Sequence, residues 1–282
     1  MLLTRKAFLA TAAATVLARP ALVRAKDWTT IRVATEGAFP PYNSTAPDGT
    51  LVGFEPDMCA EIAKRKNVKI TLLAQAWDGI IPGLQDGKYD AIADGMSITP
   101  KREEVIAFSS PYTTTPSGFT VLKDGPLASM PGTGTRIPLD DEAAATKAAA
   151  ELAKTLSGKT IAVQTATIQH DFLQRYLKDA VTIRTYAAGP DTYLDLRNGR
   201  ADAVMSSFSN ASPFIKRARG ELVLSGYGFT GGLLGKGSAI GLRKSDPELK
   251  ELFDTAIASM VADGSLKALA MKWFELDVTP KA

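Results

Sequence analysis

Residues 199–209, Gly-Arg-Ala-Asp-Ala-Val-Met-Ser-Ser-Phe-Ser, repeat the pattern of residues 87–97, Gly-Lys-Tyr-Asp-Ala-Ile-Ala-Asp-Gly-Met-Ser. The segments just before them also match, Leu84-Gln85-Asp86 against Leu196-Arg197-Asn198, and further upstream Thr30-Ile31-Arg32-Val33-Ala34-Thr35 echoes Thr160-Ile161-Ala162-Val163-Gln164-Thr165. One such match is what any pair of short α/β motifs shows by chance. Three in the same order imply two similar α/β units in one chain, each with strands that end in polar loops. In open α/β sheets ligands bind beyond the carboxyl ends of the strands. Two such units facing each other enclose a cleft, and hinge closure is their natural motion.

The first copy carries chemistry at its end. Tyr89 to Ala93 is short, apolar and suited to a buried strand. Gly95 lets backbone amides approach a ligand. Thr99 is an N-cap candidate, with Pro100 at the first helical position, where its missing N–H costs nothing. Arg102 then falls in the first helical turn, where a cation opposes the helix dipole. A bound carboxylate, held by loop amides, the Ser97 hydroxyl and the guanidinium, gives that arginine a reason. The other reading is an ordinary strand-to-helix turn with an exposed arginine.

Residues 1–25 read as an export signal: Arg5 and Lys6, then an apolar run from Ala7 to Ala18, then Val23-Arg24-Ala25 with small residues for cleavage before Lys26. The apolar run is too short to span a bilayer. Thr4 to Leu9 resembles a twin-arginine signal with one arginine replaced, and the general secretory route stays open. The full chain has 282 residues with 33 Lys and Arg against 30 Asp and Glu. The leader holds four bases and no acid, which leaves 29 bases against 30 acids, a net of −1. The positive balance belongs to the leader and carries no suggestion of nucleic acid. Cys59 is the single cysteine, so no internal disulfide forms, and its apolar neighbours make it a buried small residue. With His170 the single histidine, a His-based triad or a His-rich metal site is set aside.

Taken in order, residues 30–35 are a strand, 36–42 a loop stiffened by Pro40 and Pro41, 55–66 a helix with Met58, Ile62 and Ala63 inward, and 69–73 a strand. Trp77-Asp78-Gly79 opens a further helix. Phe39 and Trp77 both sit in loops where a cleft is expected. Residues 124–140 are rich in Gly, Pro and Thr and read as a surface excursion. The alanine-rich helix over 140–155 has little amphipathicity and is expected to be an exposed part of an insertion over 124–157. Residues 159–163 are a strand, Thr165 to Gln169 a small-residue loop before a helix, and 229–236 a glycine-rich loop. Residues 238–243 are expected as a returning strand, followed by two helices.

Gly53-Phe54-Glu55-Pro56-Asp57, Trp77-Asp78-Gly79-Ile80-Ile81-Pro82, Met96 to Arg102, Gly199 to Ala203 and Gly241-Leu242-Arg243-Lys244 together resemble an extracytoplasmic solute-binding protein of an ABC importer, of the polar and basic amino-acid type. That resemblance covers nearly the whole chain after the leader. It implies an α/β fold of the two-lobed periplasmic-binding-protein type (type II), each lobe a mostly parallel sheet flanked by helices and hinged around a cleft. The expected lobes are 26–116 plus 236–282, and 117–235. It also implies a periplasmic monomer that hands an amino acid or opine to a membrane permease, with no cofactor, metal, nucleic acid or catalytic residue.

Carried over by motif, Arg102 and Ser97 take the ligand α-carboxylate with the Gly95 and Met96 segment, and the Thr167 region closes from the other lobe with Gln164, Ile168 and Gln169. Phe39 and Trp77 sandwich the side chain. Glu36 stands where relatives of this type carry an acid for a cationic side chain, and Asp94 where many carry Ser or Thr. Two acids in one partly dry pocket favour guanidinium or ammonium; the other reading is solvated loop acids. Many members hold the α-ammonium with an Asp at the position of Ser207, and here that acid is missing. Either Asp94 takes the ammonium or the ligand is an N-substituted amino acid such as an opine. The competing activity on this fold is cyclohexadienyl dehydratase, with Glu36 or Asp94 as general acid.

Overall fold

The computed structural model describes residues 28–280, so the leader expected over 1–25 lies outside the described residues. β1 (Thr30–Thr35) leads through the short strands β2 (Ala38–Phe39), β3 (Asn43–Thr45) and β4 (Leu51–Val52) to α1 (Phe54–Lys66). β5 (Lys69–Ala74), a 3-10 turn over Trp77–Gly79, α2 (Ile80–Gln85), β6 (Ala91–Ile92), α3 (Pro100–Glu103) and β7 (Ala107–Phe108) follow. Next come β8 (Ser117–Leu122), β9 (Arg136–Pro138), α4 (Glu142–Thr155), β10 (Thr160–Gln164), α5 (Ile168–Tyr176) and β11 (Thr182–Tyr186). α6 (Gly189–Arg197), β12 (Ala203–Ser207), α7 (Phe208–Arg217) and β13 (Leu222–Thr230) precede β14 (Gly241–Leu242), α8 (Pro247–Ala262) and α9 (Ser265–Phe274).

These strands form two main sheets, ordered β5-β1-β6-β14-β7 and β11-β10-β12-β8-β13-β9. β1 runs parallel between β5 and β6, and β10 runs parallel between β11 and β12, so the sequence repeat becomes two equivalent three-stranded cores. Alternation along each central strand sends apolar side chains to both faces. Ile31 and Val33 pack with Phe54 and Phe253, while Ala34 packs with Ile80 and Leu84 on the opposite face. Ile161 and Val163 likewise face Phe172, and Ala162 faces Tyr193 and Leu196. The repeated aspartates have matching structural duties. Asp90 accepts the backbone N–H of Arg32 at 3.0 Å, and Asp202 accepts that of Thr160 at 2.8 Å, each clipping its strand to the centre of its sheet.

The chain passes from the first sheet to the second between β7 and β8, and back between β13 and β14. The two passages touch: Ser238 bridges both Thr113 and Ser97 in antiparallel fashion. Such a pair of adjacent extended segments lets two rigid bodies pivot about a few backbone torsions.

Three expectations need correction. α4 is not exposed: Ala145, Ala148, Ala149 and Leu152 are buried in it, and Leu127, Met130 and Leu139 of the preceding segment join the same core. Its inner face is mostly methyl groups, which give the sequence little hydrophobic contrast but allow close helix packing. Residues 229–236 are not one loop, because β13 runs through Thr230 and a 3-10 turn follows at Gly232–Leu234. Gly226, at φ 80°, sits where the β13–β8 register shifts between Ser225 and Phe229, a conformation that favours glycine. The excursion over 124–140 contributes β9, which pairs parallel to β13 at the sheet edge.

Candidate ligand-binding cleft

A cavity of about 380 Å³ lies between the two sheets, within the range of small-molecule sites. From the first sheet's side it is lined by Glu36, Phe39, Trp77, Asp94, Gly95, Ser97 and Arg102. Gln164, Thr167, Ile168, Gln169 and Ser207 line it from the other. Met96, expected with them, does not line the cavity. Its side chain is fully buried with Ile92, Ile106 and Ala239, because it points to the core face of a chain whose neighbours Gly95 and Ser97 turn outward.

The Arg102 turn forms as its residues dictate. Thr99 caps α3 by accepting the Arg102 N–H at 3.2 Å, with Pro100 at the start of the helix. The Arg102 guanidinium then folds back, donating from Nη1 to the Ser97 carbonyl at 3.0 Å and lying 5.1 Å from the centre of the Trp77 ring. Burial lowers its pKa to about 10, while Asp171 and Asp94 act in the opposite direction. It stays a cation with donors to spare at any physiological pH.

The acids are held differently from one another. Asp94 is buried, and its Oδ1 accepts from the Glu36 N–H at 3.0 Å, from Asn43 Nδ2 at 2.7 Å and from the Thr35 hydroxyl at 3.4 Å. Its Oδ2 has no hydrogen-bond partner among the described residues. Burial, with the charges of Glu55 and then Glu36, pushes its carboxyl well above the usual range. Glu36 Oε1 accepts from Gln164 Nε2 across the cleft at 2.8 Å. Burial pushes the Glu36 carboxyl up to about 7, against the effect of that donor, with Asp78 adding to the rise. Neither acid is an ordinary solvated loop residue: burial favours the neutral form of each, and a cation placed beside them would favour the charged form.

Two supports were not singled out as site residues in the sequence. Glu55 is wholly buried in α1, accepts the Gly95 N–H at 2.6 Å, and is also bonded by Tyr112 and by Asn43 Nδ2. It therefore fixes the loop that presents Asp94 and Ser97. Gly95 has φ 56°, and a Cβ there would come within 2.6 Å of the Phe39 ring, so only glycine lets that ring reach the cavity. Tyr42 lines the cavity and links the two halves, its hydroxyl lying 3.1 Å from that of Thr113 and 3.0 Å from that of Ser209. A tyrosine after two prolines gives no such signal in sequence.

On the opposite side, Thr167 caps α5 through the His170 N–H and donates its hydroxyl to the Gln164 carbonyl at 2.8 Å. Trp77 Nε1 reaches the Ala166 carbonyl at 3.3 Å, and Asn210 Nδ2 reaches the Pro40 carbonyl at 2.8 Å, so both rims of the cleft are bridged. Ser207 caps α7 by accepting the Asn210 N–H at 3.3 Å, and still lines the cavity.

Residues 31–276 match the family model described as "Bacterial extracellular solute-binding proteins, family 3". The octopine-binding periplasmic protein of Rhizobium meliloti is 40% identical over 270 residues, covering 89% of this chain and 92% of that protein. An L-cystine-binding protein of Escherichia coli K12 is 32% identical over 259 residues, covering 92% of this chain and 87% of the other. Among solved structures, a periplasmic His/Glu/Gln/Arg/opine family-binding protein from Silicibacter pomeroyi in complex with lysine is 36% identical, with a TM-score of 0.72 over 89% of this chain and 100% of that one.

Proposed function

The chain belongs to family 3 of the bacterial extracellular solute-binding proteins, and from that premise we propose that its cleft binds a cationic amino acid or an arginine-derived opine for delivery to an ABC permease in the cell envelope. The observation that carries the ligand class is the pairing of charges inside one cavity. Arg102 offers a guanidinium to a carboxylate, and the carboxyl groups of Glu36 and Asp94 in the same lining offer acceptors to a cation. Phe39 and Trp77 flank the space between as apolar walls for an aliphatic or guanidinium side chain. Gln164, Thr167, Ile168 and Gln169 close it from the second lobe.

Among the described residues we assign the lobes as 28–116 plus 236–280, and 117–235, pivoting at the paired passages near Thr113 and Ser238. The family and the relatives are binding proteins by name, and that favours binding over the dehydratase chemistry on this fold. Purified protein titrated by calorimetry with arginine, lysine, histidine, octopine, nopaline, glutamine and leucine tests the proposal. Binding of the cationic members above the neutral ones is the expected result. Equal affinity for leucine or glutamine overturns the charge reading.

A further inference from the structure

The two lobes touch beside the ligand space and again behind it. Beside it, Gln164 meets Glu36 and Trp77 meets Ala166. Behind it, a chain of hydroxyls crosses from one lobe to the other. Tyr42 is 1% exposed, and its hydroxyl lies 3.1 Å from Thr113 Oγ1 and 3.0 Å from Ser209 Oγ. Ser209 Oγ lies in turn 3.2 Å from Ser207 Oγ, which lines the cavity. Tyr42 belongs to the first lobe, Thr113 to the first passage between the lobes, and Ser207 and Ser209 to the start of α7 in the second. A phenol has one proton to give and lone pairs to receive, and its two neighbours meet both needs.

Each end of this chain is fixed. The Tyr42 carbonyl accepts the Glu55 N–H at 2.9 Å, and its ring stacks on Phe39 with 5.3 Å between centroids and packs edgewise on Phe274 at 4.9 Å. The Thr113 carbonyl accepts the Ser238 N–H at 2.8 Å, which ties it to the return passage. From α7, Asn210 Nδ2 donates to the Pro40 carbonyl at 2.8 Å, and Lys216 pairs with Glu275 at the end of α9. The aromatic wall at Phe39, the pivot at Thr113 and the cavity residue Ser207 are therefore joined through one phenol. Its hydroxyl is taken up by protein partners and has no part in contacting a ligand.

We propose that Tyr42 is a positioning residue for ligand binding: its bond to Ser209 forms on closure and holds α7, with Ser207, against the first lobe. This rests on the reading of the cleft as an amino-acid site and adds a residue that sets affinity without meeting the ligand. Tyr42 and Ser209 ride on different lobes, so rotation about the passages parts a contact that tolerates little stretch. A bond made only in the closed form raises the population competent to hold ligand, and so raises the apparent affinity for every ligand by the same factor. The ratio between ligands stays as it was, which separates Tyr42 from Glu36 and Arg102.

The test is a double-mutant cycle on binding. Tyr42→Phe keeps the ring and its stacking and removes the hydroxyl, and Ser209→Ala removes the bridge from the other lobe, so each variant checks the other should one fold poorly. Both, and the double variant, are titrated by calorimetry with arginine and octopine as full mature protein. Each single change is expected to weaken both ligands about tenfold, the effect of one buried hydrogen bond, with their ratio kept. The double variant is expected to lose about as much as one single variant, because the same bond is not lost twice. Lower melting temperatures with unchanged affinities would show a bond present in open and closed forms alike, and would overturn the proposal. Losses that multiply in the double variant, or a shifted ratio between ligands, also overturn it. Should the wild type bind neither ligand, the amino-acid reading fails and small-angle scattering of the ligand-free proteins decides the bridge: a larger radius of gyration in both single variants upholds it, and an unchanged radius overturns it.

Discussion

Gln164 of the second lobe donates its side-chain amide to the Glu36 carboxylate of the first at 2.8 Å, so one hydrogen bond both closes the cleft and engages the acid expected to meet the ligand. That double duty ties closure to protonation, and it gives the first prediction.

The Glu36 carboxyl is raised from 4.5 to about 7 in the folded protein, mainly by burial. The folded form therefore holds a proton that the unfolded form releases between those values. The stability contributed by this group is full below about pH 4.5 and is lost as pH rises through about 7. A cationic ligand needs the ionised form, so its affinity runs the other way, climbing toward about pH 7 and then levelling. Glu36→Gln should flatten both curves and weaken arginine far more than a neutral analogue. Calorimetry from pH 5 to 8 on the two proteins measures this.

Arg102→Ala should lose the ligand and keep the fold. Removing the partner of a buried carboxylate costs about 2–5 kcal/mol of binding. The arginine's own contacts within the protein are a carbonyl and an aromatic ring, neither of which becomes an unpaired charge. Unchanged affinity would show that the carboxylate sits elsewhere; a collapsed melting transition would show that the arginine is structural.

Ser207→Asp tests the missing acid. Aspartate is as good an N-cap as serine, so α7 should survive the change. The new carboxylate supplies a partner for a free α-ammonium and repels a second ligand carboxylate, so arginine and lysine should overtake octopine and nopaline. The rival expectation is that Asp94 already serves the ammonium. In that case the wild type prefers free amino acids and Asp94→Asn loses them.

Leu152→Ala tests the revised place of α4. Its side chain is fully buried against the second lobe's core, and such truncations cost about 2–5 kcal/mol. A surface helix would lose only about 0.5 kcal/mol. Denaturant unfolding of the two proteins decides between them.

The repeat, the strands it contains, the cap at Thr99 and the carriers of the family resemblance were legible in the linear chain, because each rests on local pattern; the parallel pairing of the strands was implied only by the resemblance. Strand periodicity, a Thr-Pro helix start and a glycine before a polar loop depend on residues a few positions apart. The aspartates shared by the two copies were legible as a repeat but not as strand clips, because Asp90 and Arg32 are neighbours only after the sheet forms. The same reason hid the role of Glu55. Its place in a helical pattern gave no sign that its carboxylate would hold the Gly95 amide 40 positions away. Tertiary structure alone decided that Met96 faces the core, that the methyl groups of α4 complete a core, and that β9 carries Arg136 into the cavity. Which side of a chain faces a cleft depends on what packs against its other side, and that partner comes from a distant segment.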